Sequence, residues 1–288
     1  MRDYMILTDS CCDLPAQMVE ELGIRVLPLS FVMDGKEYFN HSDNRDIAPK
    51  DFYDKLRGGS LGTTSAVSVG AFQEVMTEAA QAGKDVLCIA FSSALSTTYQ
   101  SACIAAEDVM AAYSDCTISV VDSRSASLGQ GMLVYLTVQE KRKGATLAQA
   151  AAFAEETKHR ICQWFTVDDL NHLKRGGRIS AATALLGSML QMKPILKVDE
   201  EGRLVSISKV RGRKAAIQAL VQKMEELVTD SGLIFISHGD CPEEAEALGA
   251  AIKERFSVEP QLIEFVGPVI GNHAGPGTIA LFFMGKEK

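Results

Sequence analysis

The 288-residue chain has no apolar run longer than six residues; the longest are Val86–Phe91 and Ile279–Met284. A membrane-spanning helix needs about 20, so none is expected. Cysteine is scattered rather than paired. Cys11, Cys12, Cys88, Cys103, Cys116, Cys162 and Cys241 are odd in number, irregular in spacing and form no C-x-x-C. A disulfide framework or zinc site is therefore not expected, and most of these thiols read as small buried side chains. Aromatic residues are few, at 7% with one tryptophan, Trp164, which reads as core. That argues against single-stranded nucleic acid, which is held by aromatic stacking. The five histidines show no H-x-x-x-H or H-E-x-x-H spacing, so neither a metal nor another cofactor is indicated. The P-loop, the dinucleotide fingerprint and the G-x-S-x-G elbow are also missing. No charged segment followed by an apolar one opens the chain. With the cysteine pattern, this leads us to expect a cytoplasmic protein.

What is present is globular in composition: 47% apolar and 23% charged residues. A prior of roughly 150 residues per domain suggests two domains. Strand-like runs such as Met5–Leu7, Ile24–Val32, Val86–Phe91 and Thr117–Val121 lack polar alternation, which implies burial on both faces. They alternate with helical stretches at Pro15–Leu22, Gly70–Gln81, Thr97–Tyr113 and Ala126–Lys141, the pattern of a parallel sheet wrapped by helices. An alanine-rich helix at Ala145–Lys158 precedes a new strand from Gln163. Beyond it, strands at Leu204–Ser208, Gly232–Ser237, Gln261–Phe265 and Thr278–Met284 mix with helices at Lys214–Val228 and Glu243–Arg255. The expectation is an α/β protein of two domains. Residues 1–163 form a three-layer parallel-sheet domain, and residues 164–288 an α/β domain with a mixed sheet. A Leu/Met-rich helix over Ala181–Met192 reads as core or as the wall of an apolar pocket.

Charge is unevenly placed. The chain carries 29 basic and 37 acidic residues, a net −8, yet Lys174 to Lys214 contains ten basic residues against three acidic. This band suits an acidic partner or a phosphate, or is a solvated face.

Strand runs end in small polar groups: Thr8-Asp9-Ser10, Ser92-Ser93, Asp122-Ser123 and Ser237-His238. Ligands of open α/β sheets bind outside the carboxyl ends of strands, although the same residue types are the preferred helix caps. Gly59-Ser60-Leu61-Gly62-Thr63-Thr64-Ser65 reads as a glycine-freed loop before a helix, with N–H and hydroxyl donors for a carboxylate or phosphate. Gly271-Asn272-His273-Ala274-Gly275-Pro276-Gly277 reads as a second glycine-rich turn carrying an imidazole. Asp168-Asp169 reads as a helix cap.

Taken in order, these pieces resemble the DegV family of bacterial fatty-acid-binding proteins. The likeness runs from Thr8-Asp9-Ser10-Cys11-Cys12-Asp13-Leu14-Pro15 through Thr63-Thr64-Ser65, Ser92–Ala102 and Val121-Asp122-Ser123. It continues through Asp168-Asp169-Leu170, Leu173–Ser180, Lys193–Leu196 and Lys209–Lys214 to the last glycine-rich segment. The resemblance implies one long-chain fatty acid between two domains, its carboxylate held by Thr63, Thr64, Ser65, Ser92 and Ser93, with Asn272 and His273 nearby. It implies that a segment near residues 62–82 packs with the second domain. It further implies a lipid carrier that is not itself an enzyme, and that presents the acid to a separate fatty-acid kinase making acyl phosphate for phospholipid synthesis. Lys174, Arg175, Arg178 and Arg211 would then dock that kinase or steady the phosphates of ATP. The chain departs from the family pattern at Gly62, Ala66-Val67 and Thr97. A rival reading is a serine hydrolase using Ser92 or Ser93 with His273; a third is a phosphate- or nucleotide-binding module on the sheet crest.

Overall fold

A computed structural model describes residues 2–179, 191–286 and 288. The first part of the chain runs β1 (Tyr4–Asp9), a 3-10 turn at Ser10–Cys12, α1 (Ala16–Leu22), β2 (Arg25–Leu27), β3 (Ser30–Met33), β4 (Lys36–Phe39) and α2 (Pro49–Arg57). It continues with β5 (Gly62–Ser65), α3 (Val69–Gln81), β6 (Asp85–Ala90), α4 (Thr98–Ala112), β7 (Ile118–Asp122), α5 (Leu128–Arg142) and α6 (Leu147–Thr157). The second part holds β8 (Ile161–Thr166), α7 (Leu170–Arg175), β9 (Met192–Val198), β10 (Leu204–Arg211) and α8 (Arg213–Leu227). Then come β11 (Val228–His238), α9 (Pro242–Phe256), β12 (Leu262–Phe265), α10 (Pro268–Ala274) and β13 (Ile279–Gly285). Most of the Leu/Met-rich segment expected over Ala181–Met192 lies outside the described residues.

Three sheets form. The apolar runs of the first half pair in parallel as β2-β1-β6-β7. The second half builds a six-stranded mixed sheet, β10-β9-β8-β13-β11-β12, in which β11 and β12 are parallel and the other neighbours antiparallel. A small antiparallel sheet, β4-β3-β5, stands beside them. The fold is thus the expected α/β architecture with a parallel and a mixed sheet. The mixed sheet opens at Ile161, inside the range assigned by sequence to the first domain.

Helix α5 explains how the two larger sheets join. It is buried nearly all round, from Leu128 through Val134 and again at Thr137 and Val138. A helix apolar on every side belongs inside a protein. Leu128, Met132 and Leu133 share one core with Ile6 and Leu87 of the parallel sheet and with Phe165, Phe235 and Phe282 of the mixed sheet. Its buried polar side chains donate inward, while Gln130 Oε1 is buried without a partner. Gln130 Nε2 donates to Thr8 Oγ1 (2.9 Å) and Asp9 Oδ2 (3.2 Å), and Thr137 Oγ1 donates to Leu133 O (2.7 Å).

The sequence reading differs from the structure in the small sheet. The strand expected over Ile24–Val32 is two strands in different sheets, β2 and β3. Pro28 lies between them, and proline has no N–H to continue a ladder. The β3–β4 hairpin turns at Asp34-Gly35, both with positive φ (52° and 76°), the Asp-Gly signature of a tight hairpin. Helix α2 starts with Pro49 in its first turn, where a missing N–H costs nothing. Among the described residues no helix is long and apolar enough to cross a membrane.

Candidate functional site

Thr63, Thr64 and Ser65 are strand residues, not an anion-cradling loop. Phe31 faces Thr64, and Val32 faces Thr63, in the β3–β5 ladder. Helix α3 begins later, at Val69, capped by the Ser68 hydroxyl accepting from Ala71 N (3.2 Å). Pairing therefore engages this backbone, and the alternation of a strand decides which side chains turn inward. Gly62 and Thr64 are half-buried, whereas Thr63 and Ser65 are exposed.

The second glycine-rich segment is likewise helical up to Ala274, so Asn272 and His273 ride on α10. Together they clasp β5. Asn272 Oδ1 accepts from Gly62 N (2.9 Å) and its Nδ2 donates to Gly62 O (2.7 Å). This requires glycine, because a Cβ at residue 62 would stand 2.6 Å from Asn272 Oδ1. His273 Nε2 lies 2.8 Å from Thr64 Oγ1. Its Nδ1 is buried without a partner, close against Gly176. Burial, and then the charges of Arg178 and Arg175, push the His273 pKa down to about 4, so the ring is neutral near pH 7.

Thr64 and His273 stand at the wall of a partly open cavity of about 370 Å³ lined by residues of the small and mixed sheets and of the loops beside them. Leu29, Phe165, Val198, Leu204, Ile270 and Phe282 supply much of its apolar lining. Thr64, Ser65, Ser93, His273 and Arg178 supply polar groups. Arg178 is held by Leu95 O (Nε, 3.2 Å) and Gly176 O (Nη1, 2.6 Å), which fixes a cation in the wall. Further hydroxyls line the cavity at Ser96, Thr97, Ser127, Ser237 and Thr278. Thr97 precedes α4, but its hydroxyl does not cap the helix.

The other expected residues are placed differently. Ser92 is fully buried and donates to Gly202 O (2.9 Å), tying the end of β6 to the β9–β10 turn. Ser93 is exposed; its Oγ donates to Asp122 Oδ2 (2.5 Å), and its N–H donates to Asp122 Oδ1 (3.1 Å). Neither serine is bonded to His273, whose hydroxyl partner is Thr64. A serine–histidine pair is therefore not assembled from these three. Lys174, Arg175 and Arg211 are exposed; Arg175 Nη2 is 2.9 Å from His172 Nδ1, and Arg211 approaches Gln191 Oε1 at 3.4 Å. Asp169 caps α7 as expected, accepting from Asn171 N (2.9 Å), and Trp164 is buried.

Two wall positions escaped the sequence reading for different reasons. Arg178 reads from the sequence as a charge of the basic band that would dock a partner, not as a cavity wall residue. Ser127 carries no local signal, and only the fold brings it against Ser237, the end of a strand run that the sequence does mark.

Fold and site thus define an α/β protein whose parallel, mixed and small antiparallel sheets frame an apolar cavity with polar, cationic wall positions. The chain belongs to the DegV family: the family model, described as that of an uncharacterised protein, matches residues 4–286. A DegV domain-containing protein of Clostridium perfringens is 44% identical, over 100% of this chain and 99% of the relative. A solved DegV family protein from Thermus thermophilus, reported for its fatty acid binding, is 32% identical with a TM-score of 0.86, covering 98% of this chain and 99% of that one. A protein of Thermotoga maritima, whose structure revealed a fatty acid binding function, is 28% identical with a TM-score of 0.83, covering 98% and 99%.

Proposed function

We propose that the protein binds one long-chain fatty acid in this cavity, with the carboxylate at Thr64 and Ser65 beside His273 and Arg178, and presents it to a separate kinase; Ser93, whose hydroxyl and N–H both donate to Asp122, shapes the wall instead. The observation that carries the reading is the apolar cavity with a fixed cation, Arg178, in its wall. Its volume of about 370 Å³ lies within the ~300–1,000 Å³ of small-ligand sites. The fatty acid binding reported for the Thermus and Thermotoga relatives supports the same ligand class.

The chemistry divides between the two ends of such a ligand. Each buried methylene contributes about 0.8 kcal/mol. The carboxylate needs donors. A neutral His273 protonated on Nε2 donates to Thr64 Oγ1 and leaves the threonine proton for the ligand. Each hydrogen bond to a charged group contributes roughly 1.5–3 kcal/mol. Thr63 and Asn272 act as strand and clasp around this centre, and Ser92 holds the loop that carries Ser93.

Lys174, Arg175 and Arg211 form the docking charge for the kinase that phosphorylates the carboxylate, whereas Arg178, assigned with them from the sequence, is held in the cavity wall. The exposure of Lys174, Arg175 and Arg211 supports that assignment.

Native mass spectrometry of freshly purified protein tests the ligand reading. One mass excess of fatty-acid size, released intact on denaturation, is the expected result. An empty protein that takes up no fatty acid on incubation refutes it.

A further inference from the structure

Three polar side chains form a buried chain reaching the cavity from behind. Asp13, Ser127 and Ser237 are each more than nine-tenths buried. Ser127 Oγ donates to Asp13 Oδ2 (2.6 Å), and Ser127 Oγ and Ser237 Oγ are 2.9 Å apart. Ser127 and Ser237 line the apolar cavity; Asp13 lines a small separate cleft on the other side. Two of the three sit in backbone conformations that favour glycine: Asp13 at φ 51° and Ser127 at φ 53°, ψ −142°. Strain of this kind persists where the surroundings over-determine it, and it clusters at ligand sites.

The position of this chain in the cavity follows from α10. Asp13 Oδ1 lies against Gly267, the residue that begins that helix, and His273 lies in its last turn. Six residue steps at 1.5 Å each separate the two by about 9 Å. The serines therefore face the ligand well down its chain, away from Thr64 and His273.

Hydrogen-bond direction narrows the ligand chemistry. Asp13 Oδ2 accepts from Ser127 whether or not its other oxygen carries a proton. Ser127 is thereby committed as a donor to Asp13, and Ser237 as the donor to Ser127. What the pair turns towards the cavity is oxygen lone pairs. A carboxylate, which has only acceptors at neutral pH, is a mismatch there. A hydroxyl on the acyl chain is a match.

We propose that Ser237 and Ser127 form a second, acceptor-type subsite that selects fatty acids bearing a mid-chain hydroxyl. The proposal rests on the fatty-acid reading above and names the ligand class within it.

The test is competition binding with octadecanoic acid and a panel of hydroxyoctadecanoic acids whose hydroxyl steps along the middle of the chain. At least one positional isomer is expected to bind the wild type about two- to tenfold more tightly than octadecanoic acid, the worth of one neutral hydrogen bond. In Ser237→Ala that ratio falls to one or below. Ser127→Gly, which also relieves the positive φ, gives a second variant with the same expected loss, and thermal melts confirm that each is folded. A wild type that prefers the unsubstituted acid over every isomer overturns the proposal: the serines then hold water alone. A preference that survives in both variants also overturns it. If neither acid class binds the wild type, the fatty-acid reading itself has failed, a result separate from either of these.

Discussion

Thr64→Val is the sharpest test of the head-group assignment. Valine keeps the shape of threonine and its β-branch, so the β3–β5 ladder opposite Phe31 is retained. What is lost is the hydroxyl 2.8 Å from His273 Nε2. If that hydroxyl donates to a bound carboxylate, its removal costs roughly 1.5–3 kcal/mol of binding, or about 10- to 150-fold in Kd. The control is Thr63→Val. Thr63 is exposed on the opposite side of the same strand, where substitutions stay within about 0.5 kcal/mol, near twofold in Kd. Displacement of a fluorescent fatty acid from each variant gives the two ratios directly. A Thr64→Val affinity within twofold of wild type refutes the assignment. A larger loss at Thr63 than at Thr64 refutes the argument from strand alternation as well.

Four further outcomes follow from the same contacts. Gly62→Ala places a Cβ 2.6 Å from Asn272 Oδ1 and breaks the paired bonds across the clasp; chemical denaturation is expected to show a loss of about 1–3 kcal/mol. Burial raises the Asp13 pKa to about 8 from 3.8, so the folded state keeps a proton that the unfolded state releases, and stability falls as pH rises between those values. Asp13→Asn removes that fall above about pH 6.5; at lower pH, Asp9, raised to about 6 by burial, and His273, lowered to about 4 by burial, contribute slopes of opposite sign. A fluorophosphonate probe is expected not to label Ser92 or Ser93, since neither is bonded to His273; stoichiometric labelling of either, read by mass spectrometry, reopens the hydrolase reading. Reversing the charge of Arg175 and Arg211 is expected to slow a fatty-acid kinase acting on the loaded protein at low salt, with the difference shrinking as salt screens the contact; unchanged turnover removes the docking assignment.

The legible part of the fold was the part whose pattern is local. Val86–Phe91 predicts a buried strand because six apolar residues with no polar alternation have no other stable place, and β6 occupies five of those positions at the centre of the parallel sheet. Ala126–Lys141 predicts a helix, though not that α5 would be shared by two sheets. That depends on what packs against it, and Phe165 and Phe282 come from strands far along the chain. Ile24–Val32 failed as one strand because apolar content outweighed Pro28, whose missing N–H ends pairing and lets the chain change sheet.

At the site, residue type was legible and geometry was not. Three hydroxyls after Gly62 read as a loop because glycine and small polar residues favour turns. The long-range partner β3 makes them a strand, and that change has a chemical consequence. A loop presents all three hydroxyls and their N–H groups to one ligand, whereas a strand divides them. Thr64 goes inward to His273, and Thr63 goes outward to solvent. The glycine at 62 then has a different reason to exist. It is not there to free a loop but to let Asn272 approach the backbone within hydrogen-bonding distance. The same two residues that looked like a loose turn near the end of the sequence, Asn272 and His273, are therefore a rigid helical clasp. One of them fixes the strand, and the other fixes the hydroxyl that the strand delivers.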